Sequence, residues 1–168
     1  NDDYQGQIND YDKLIEINTG FSKKQDEFIL ERAWIKRFYL KDYKDAINDY
    51  TIVINNSSRE WRVNRAYYDR GLTKEQMGDI KGAITDLNET VARNNKLIRA
   101  YTSLGRLNFK DKNYLESISN YDITIEMGKK NKYNDLSFFN KDANYLGRAT
   151  AKLQLKDYIG AIDDFDIV

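Results

Sequence analysis

The sequence predicts an all-α, right-handed superhelical solenoid of antiparallel helix pairs, and three observations carry that expectation. A nine-residue helical signature recurs as D-Y-Q-G-Q-I-N-D-Y from Asp3, D-Y-K-D-A-I-N-D-Y from Asp42, D-I-K-G-A-I-T-D-L from Asp79, N-Y-L-E-S-I-S-N-Y from Asn113 and D-Y-I-G-A-I-D-D-F from Asp157. Its central residues, Gln7, Ala46, Ala83, Ser117 and Ala161, lie 39, 37, 34 and 44 residues apart. Periods of that length belong to stacked repeats, not to one compact core. Twelve residues ahead of three of these centres sits a small residue with a tyrosine four before it: Tyr67 and Gly71, Tyr101 and Gly105, Tyr145 and Ala149. A spacing of four is about one helical turn, so each pair shares a face. The chain also contains no Pro, the residue that interrupts helices most strongly.

The elements follow from that register. A lone helix is expected over 3–17, because the first signature copy has no partner helix ahead of it. Four pairs come next, at 23–40 with 42–55, 60–77 with 79–93, 96–110 with 113–129, and 135–155 with 157–168. Residues 1–168 are thus read as a single solenoid domain with repeats at about 23–55, 60–93, 96–129 and 135–168. Within each pair the first helix is A and the second B. Asp42, Asp79, Asn113 and Asp157 open the B helices, each preceded by Lys or Gly at the turn. Asp and Asn are favoured N-caps because their side chains accept bonds from the free amides of a new helix. The small residues of A and B allow the two helices to cross closely, where a large side chain would hold them apart.

This arrangement resembles the tetratricopeptide repeat family, a helix–turn–helix unit of 34 residues with a W/Y–L–G–Y…A…F…A…P pattern. The resemblance covers nearly the whole chain. The family's closing Pro is absent, and the longer intervals place extra residues around 18–25, 56–60 and 129–140. Trp34 falls where the family has Gly or Ala, with Ala33 beside it, so the first full repeat is expected to be splayed or shifted by one residue.

Composition narrows the function. Lys plus Arg and Asp plus Glu both number 27, and a nucleic-acid binder would be expected to carry a basic excess. The 13 Tyr and 7 Phe could stack bases, but Tyr50, Tyr67, Tyr101, Tyr121, Tyr145 and Phe165 fall at core phases of the repeat. No apolar run approaches the ~18 residues of a membrane helix, so no membrane partner is expected. Without Cys or His the usual thiol nucleophiles and imidazole bases are missing. No phosphate loop, nucleophile–base spacing or metal-ligand cluster stands out. No enzyme activity, cofactor or metal is expected, and the sequence assigns no compartment. Acidic pairs such as Asp163-Asp164 read as a solvated face or a helix start.

The family resemblance implies that stacked A helices line a concave groove holding an extended peptide or a partner helix. Projecting the A helices off their packed face selects Arg65, Tyr68, Leu72 and Glu75 in the second repeat, and Arg99, Thr102, Arg106 and Phe109 in the third. The first repeat gives Phe28, Glu31, Ile35 and Phe38, and the fourth Ala143, Leu146, Thr150 and Leu153. The expected function is a non-enzymatic protein–protein interaction scaffold. Arg65, Arg99 and Arg106 favour an acidic ligand, since guanidinium forks suit carboxylates. The competing use of these side chains is pairing with carboxylates of the chain itself, such as Asp69 or Glu75. The two-carboxylate clamp of chaperone-binding family members has no counterpart, because the corresponding positions hold Phe28, Glu31, Arg65 and Tyr68. The chain begins at Asn1, not Met, and Ile162, Phe165 and Val168 recur with no following helix to cover them. It is therefore read as a segment of a longer array, with weak self-association expected through its ends.

Overall fold

The computed structural model describes residues 3–18, 24–130 and 140–168. The starts expected at 23 and 135, and most of the insertion segments at 18–25 and 129–140, lie outside the described residues. The chain divides into two compact units, Asn1–Arg93 and Asn94–Val168. The first holds α1 (Tyr4–Ile17), α2 (Gln25–Ile35, continuing as a π-helix over Lys36–Leu40), α3 (Tyr43–Asn56), α4 (Glu60–Gln76) and α5 (Ile80–Arg93). The second holds α6 (Ile98–Lys110), α7 (Tyr114–Lys130), α8 (Lys141–Gln154) and α9 (Tyr158–Phe165). No strand occurs among the described residues. In the first unit α2 packs on α3 and α4 on α5, with α1 against α2 and α3 against α4. In the second, α6 packs on α7 and α8 on α9, with α7 against α8. Within each unit, each helix therefore buries a face against its sequence neighbours, as stacked repeats require.

The helix starts are local chemistry. Asp3 accepts a bond from the Gly6 amide at 2.8 Å, Asp79 from Gly82 at 2.9 Å and Asp157 from Gly160 at 3.0 Å, with a longer 3.3 Å bond from Asp45 to Asp42. These satisfy amides that the first turn leaves without partners. Asn113 departs from the expected pattern: its side-chain amide donates to Asp111 at 2.8 Å. The A-to-B turns pass through one left-handed residue each, Lys41 (φ 55°), Gly78 (φ 84°), Lys112 (φ 65°) and Lys156 (φ 63°). Closing bonds run from Asp79 to Lys74, Asn113 to Asn108 and Asp157 to Lys152, at 2.8–3.0 Å, the pattern of a Schellman turn. A side chain costs energy in that conformation and glycine does not. Lys112→Gly is expected to stabilise the protein by about 0.5–1 kcal/mol. Chemical denaturation would show it as a higher midpoint with unchanged slope.

The first repeat is shifted by one residue, and the π-helix is the reason. Gly71 to Ala83, Gly105 to Ser117 and Ala149 to Ala161 each span 12 residues, whereas Ala33 to Ala46 spans 13. The extra residue is absorbed at Lys36–Leu40, where the amide of Asp42 reaches back to Lys36 O at 2.9 Å, one residue further than in the other turns. Ala33, fully buried, then takes the small position, and Trp34 is half-buried beside it. This corrects the groove projection for α2. Ile35 is 4% exposed and belongs to the core, because it sits two residues past the small position, as do buried Thr73, Leu107 and Ala151.

Core placement follows the repeat with exceptions. Ala46, Ala83, Ser117 and Ala161 are fully buried, and Tyr50, Leu87 and Tyr121, four residues past the first three, are buried too. Ser117 stays satisfied by donating to Gly105 O at 2.7 Å. Tyr145 is buried, but Tyr67 and Tyr101 are only half-buried. The Tyr67 ring faces the guanidiniums of Arg70 at 5.4 Å and Arg93 at 5.0 Å, which draws it toward the polar margin. Phe165 lies 39% exposed.

Candidate functional site

The A-helix faces rest on a set of buried ion pairs that repeats through the chain. Arg32 of α2 clamps Asp49 of α3 with two nitrogens, and Lys36 adds a third bond at 3.0 Å. Arg70 of α4 holds Asp86 of α5 at 2.8 and 2.7 Å, with Lys74 at 2.8 Å. Arg148 of α8 holds both oxygens of Asp164 of α9, with Lys152 at 2.9 Å. The carboxylates are 1–2% exposed. The remaining arginine nitrogen reaches the preceding B helix: Arg32 to Asp12, Arg70 to Thr51 and Arg148 to Asp122. Each arginine thus fastens its helix to two neighbours with planar fork geometry. This corrects the reading of Asp164 as solvated. Burial opposes its ionisation, but bonds from Arg148 and Lys152 prevail and hold it below the usual carboxylate range. The third repeat replaces the set with Leu104, Asn108 and Asn120.

On the first unit, Arg65 is half-buried on α4 between Glu31 of α2, at 3.2 Å, and Asp69, at 3.5 Å. Tyr68 and Leu72 are half-buried on the same helix. Buried Arg37 links the π-helix to α4 through Gln76 at 2.8 Å and Asp69 at 3.8 Å. Burial, then the charge of Asp69, pushes the Tyr50 phenol far above its ordinary value, against the pull of Arg37 and Arg65. Phe38 is exposed, packed by Trp34 and under the Arg37 guanidinium at 4.6 Å.

On the second unit the structure gathers Arg106, Phe109 and Lys110 of α6, Tyr121 of α7, and Gly147 and Thr150 of α8 around an open cleft of about 300 Å³. Tyr121 is 6% exposed there. A Cβ at Gly147 would come within 2.5 Å of the Tyr121 ring, so only glycine leaves that ring its place. Burial raises the Tyr121 phenol, and Arg106 partly offsets the shift. Phe109 is held by the Tyr114 ring, with centroids 5.5 Å apart. Arg99 is exposed and Thr102 half-buried on α6, its hydroxyl donating to Ile98 O at 3.3 Å; neither lines the cleft. Of the projected set, Arg106, Phe109 and Thr150 therefore share one cavity. Sequence reasoning missed Tyr121, because it had a core phase, and Gly147, because it is two residues from the small position.

Among the described residues, no group of three or more acidic side chains could hold a metal ion, and no helix is long and apolar enough to cross a membrane. No family model matches the sequence, and no curated protein is similar to it. Solved structures are similar in fold. The crystal structure of MamA superposes with a TM-score of 0.79 at 19% identity, over 98% of this chain and 85% of that one. A tetratricopeptide repeat protein from Parabacteroides merdae gives 0.65 at 23% identity, over 98% of this chain and 57% of that one. The C-terminal part of a repeat-containing protein from Cytophaga hutchinsonii gives 0.71 at 18% identity, over 96% and 57%.

Proposed function

We propose, from a fold that is tetratricopeptide-repeat-like, that the chain is a non-enzymatic scaffold binding a peptide or partner helix on its A-helix faces. Arg65, Tyr68 and Leu72 form the candidate face on the first unit, and Arg99, Thr102, Arg106 and Phe109 that on the second. The observation that carries this reading is the cleft of the second unit. It joins an aromatic wall, Phe109 and Tyr121, to a basic rim, Arg106 and Lys110. A cleft with apolar walls and a few convergent polar groups suits one anchoring side chain of a peptide. The basic rim favours a ligand carrying a carboxylate beside that anchor. On the first unit Arg65 has Glu31 and Asp69, so an acidic ligand there would compete with carboxylates of the chain.

Selection of 12-residue peptides by display on the whole protein would test it. Peptides combining an apolar anchor with Asp or Glu should be enriched. Arg106→Glu and Phe109→Ala should each weaken their binding about tenfold, equivalent to about 1.4 kcal/mol, with helicity unchanged. Enriched peptides that keep full affinity for both variants would overturn the proposal.

A further inference from the structure

Two glycines seat the Tyr121 ring. A Cβ at Gly105 on α6 would lie 2.9 Å from the ring carbons Cε1 and Cζ, and one at Gly147 on α8 would lie 2.5 Å from Cζ and 2.6 Å from the hydroxyl oxygen. The hydroxyl end of the ring therefore rests on Gly147, and both residues line the cleft of the second unit. Tyr121 is buried, yet among the described residues nothing is hydrogen-bonded to its hydroxyl. A hydroxyl so nearly buried costs stability unless it finds an acceptor. Burial also favours its neutral form, so it stays a donor.

The first unit shows what that hydroxyl lacks. Tyr50 holds the same place on α3, four residues past the small one, and Asp69 holds the place of Gly147 on α4, two residues before the small one. There the chain supplies both signs of charge. Asp69 and the Arg37 guanidinium stand 3.8 Å apart, and both act on the Tyr50 phenol. On the second unit the charge acting on Tyr121 is that of Arg106, with Lys110 about one turn further along α6, and a glycine takes the place of the carboxylate. The cleft thus has the donor and the cation without the acid.

We propose that Tyr121 is a specificity-determining residue of the cleft, its hydroxyl donating to a carboxylate of the bound peptide beside Arg106. This rests on the peptide-binding reading of the cleft and adds the atom that recognises the acid. A charged acceptor makes a stronger bond than a neutral one, so the hydroxyl distinguishes an acid from its amide, while Phe109 and the Tyr121 ring serve any apolar anchor.

Two pairs of short peptides with a phenylalanine anchor test it: acetyl-Phe-Glu-amide against acetyl-Phe-Gln-amide, and acetyl-Gly-Phe with a free terminal carboxylate against its amide. Each is titrated into the whole protein and followed by the backbone amide signals of Gly147 and Thr150. In at least one pair the acid should bind about tenfold more tightly than its neutral counterpart, and that pair identifies the carboxylate as a side chain or a chain terminus. Tyr121→Phe, which removes the hydroxyl and keeps the ring, should erase the preference and leave the neutral peptide's affinity as it was. In the parent, isotopically labelled at tyrosine Cζ, the Tyr121 signal should move further with the acid than with the neutral peptide. A preference that survives Tyr121→Phe would overturn the proposal, and so would a loss common to both peptides, which is the mark of a packing role. Equal affinity within both pairs would overturn it while leaving the apolar anchor in place. No shift of Gly147 and Thr150 with any of the four peptides would overturn it together with the peptide-binding reading of the cleft.

Discussion

Gly71→Leu is expected to destabilise the Asn1–Arg93 unit by more than about 3 kcal/mol. A Cβ at Gly71 would already lie 3.2 Å from Ala83 O, from Asp86 Cβ and from Leu87 Cγ. Two of these neighbours belong to α5's backbone or stand directly on it, so they retreat only if the whole helix moves. Ala83 and Leu87 are fully buried, and the further carbons of leucine have no space to fill in so dense a crossing. The damage exceeds ordinary overpacking because Asp86 is displaced from Arg70 and Lys74, exposing a charge network to misalignment. Gly71→Ala should stay within about 1 kcal/mol of the parent, since alanine's better helix propensity offsets its tight contact. Amide hydrogen exchange would localise the effect: α4 and α5 should lose protection while α8 and α9 keep theirs. A Gly71→Leu protein with parental protection in α5 would contradict this account.

The same crossing shows what the chain discloses to a reader. Gly71, Ala83 and Leu87 were legible because sterics at a close crossing tolerate few residue types, and those types recur at fixed spacing. The caps at Asp42, Asp79 and Asp157 were legible for the same reason, as first-turn amides accept few partners. The buried role of Asp86 and Asp164 was not. An aspartate on a helix usually faces water, and only the arginine just before the small residue, sixteen positions upstream, marks these as paired. The recurrence of Arg-Ala or Arg-Gly with a later Ala-x-x-Asp was a usable signal that went unread.

The α2 register and the cleft failed for different reasons. Thirteen residues between Ala33 and Ala46 disclose an insertion, but a π-turn, a longer loop or a splayed helix would each absorb it, and their energies depend on packing the sequence does not state. Ile35 was misassigned because Trp34, not Ala33, was given the small position. The cleft depends on three helices meeting: Arg106 and Phe109 come from α6, Tyr121 from α7, and Gly147 and Thr150 from α8. Projection helix by helix finds Arg106, Phe109 and Thr150 but not Tyr121 or Gly147, and it does not show that the three meet.

Asp86→Ala is the second large expectation, at about 3 kcal/mol, near the lower end for removing one member of a buried pair. The low end applies because Arg70 and Lys74 keep 15% and 20% of their side-chain exposure and can partly rehydrate. For a chain of this size, such a loss lowers the melting temperature by about 6–12 °C. The third repeat supplies the rescue. Leu104 is 1% exposed where the others have arginine, and Asn108 bonds Leu104 O at 2.9 Å where they have lysine. Arg70→Leu with Lys74→Asn and Asp86→Asn should therefore recover most of the stability, since an apolar replacement avoids desolvating charge. Acid tests the equivalent pair at Asp164. A carboxylate whose folded pKa is depressed, as that of Asp164 is from its ordinary 3.8, stabilises fully above that ordinary value and progressively less as pH falls through the folded one. The parent's α8–α9 pair should thus open in acid before its α6–α7 pair, where no buried aspartate links the helices. Exchange measured at pH ~3 against pH ~7 would show it; equal loss of protection in both pairs would mean that these ion pairs do not hold the helices together.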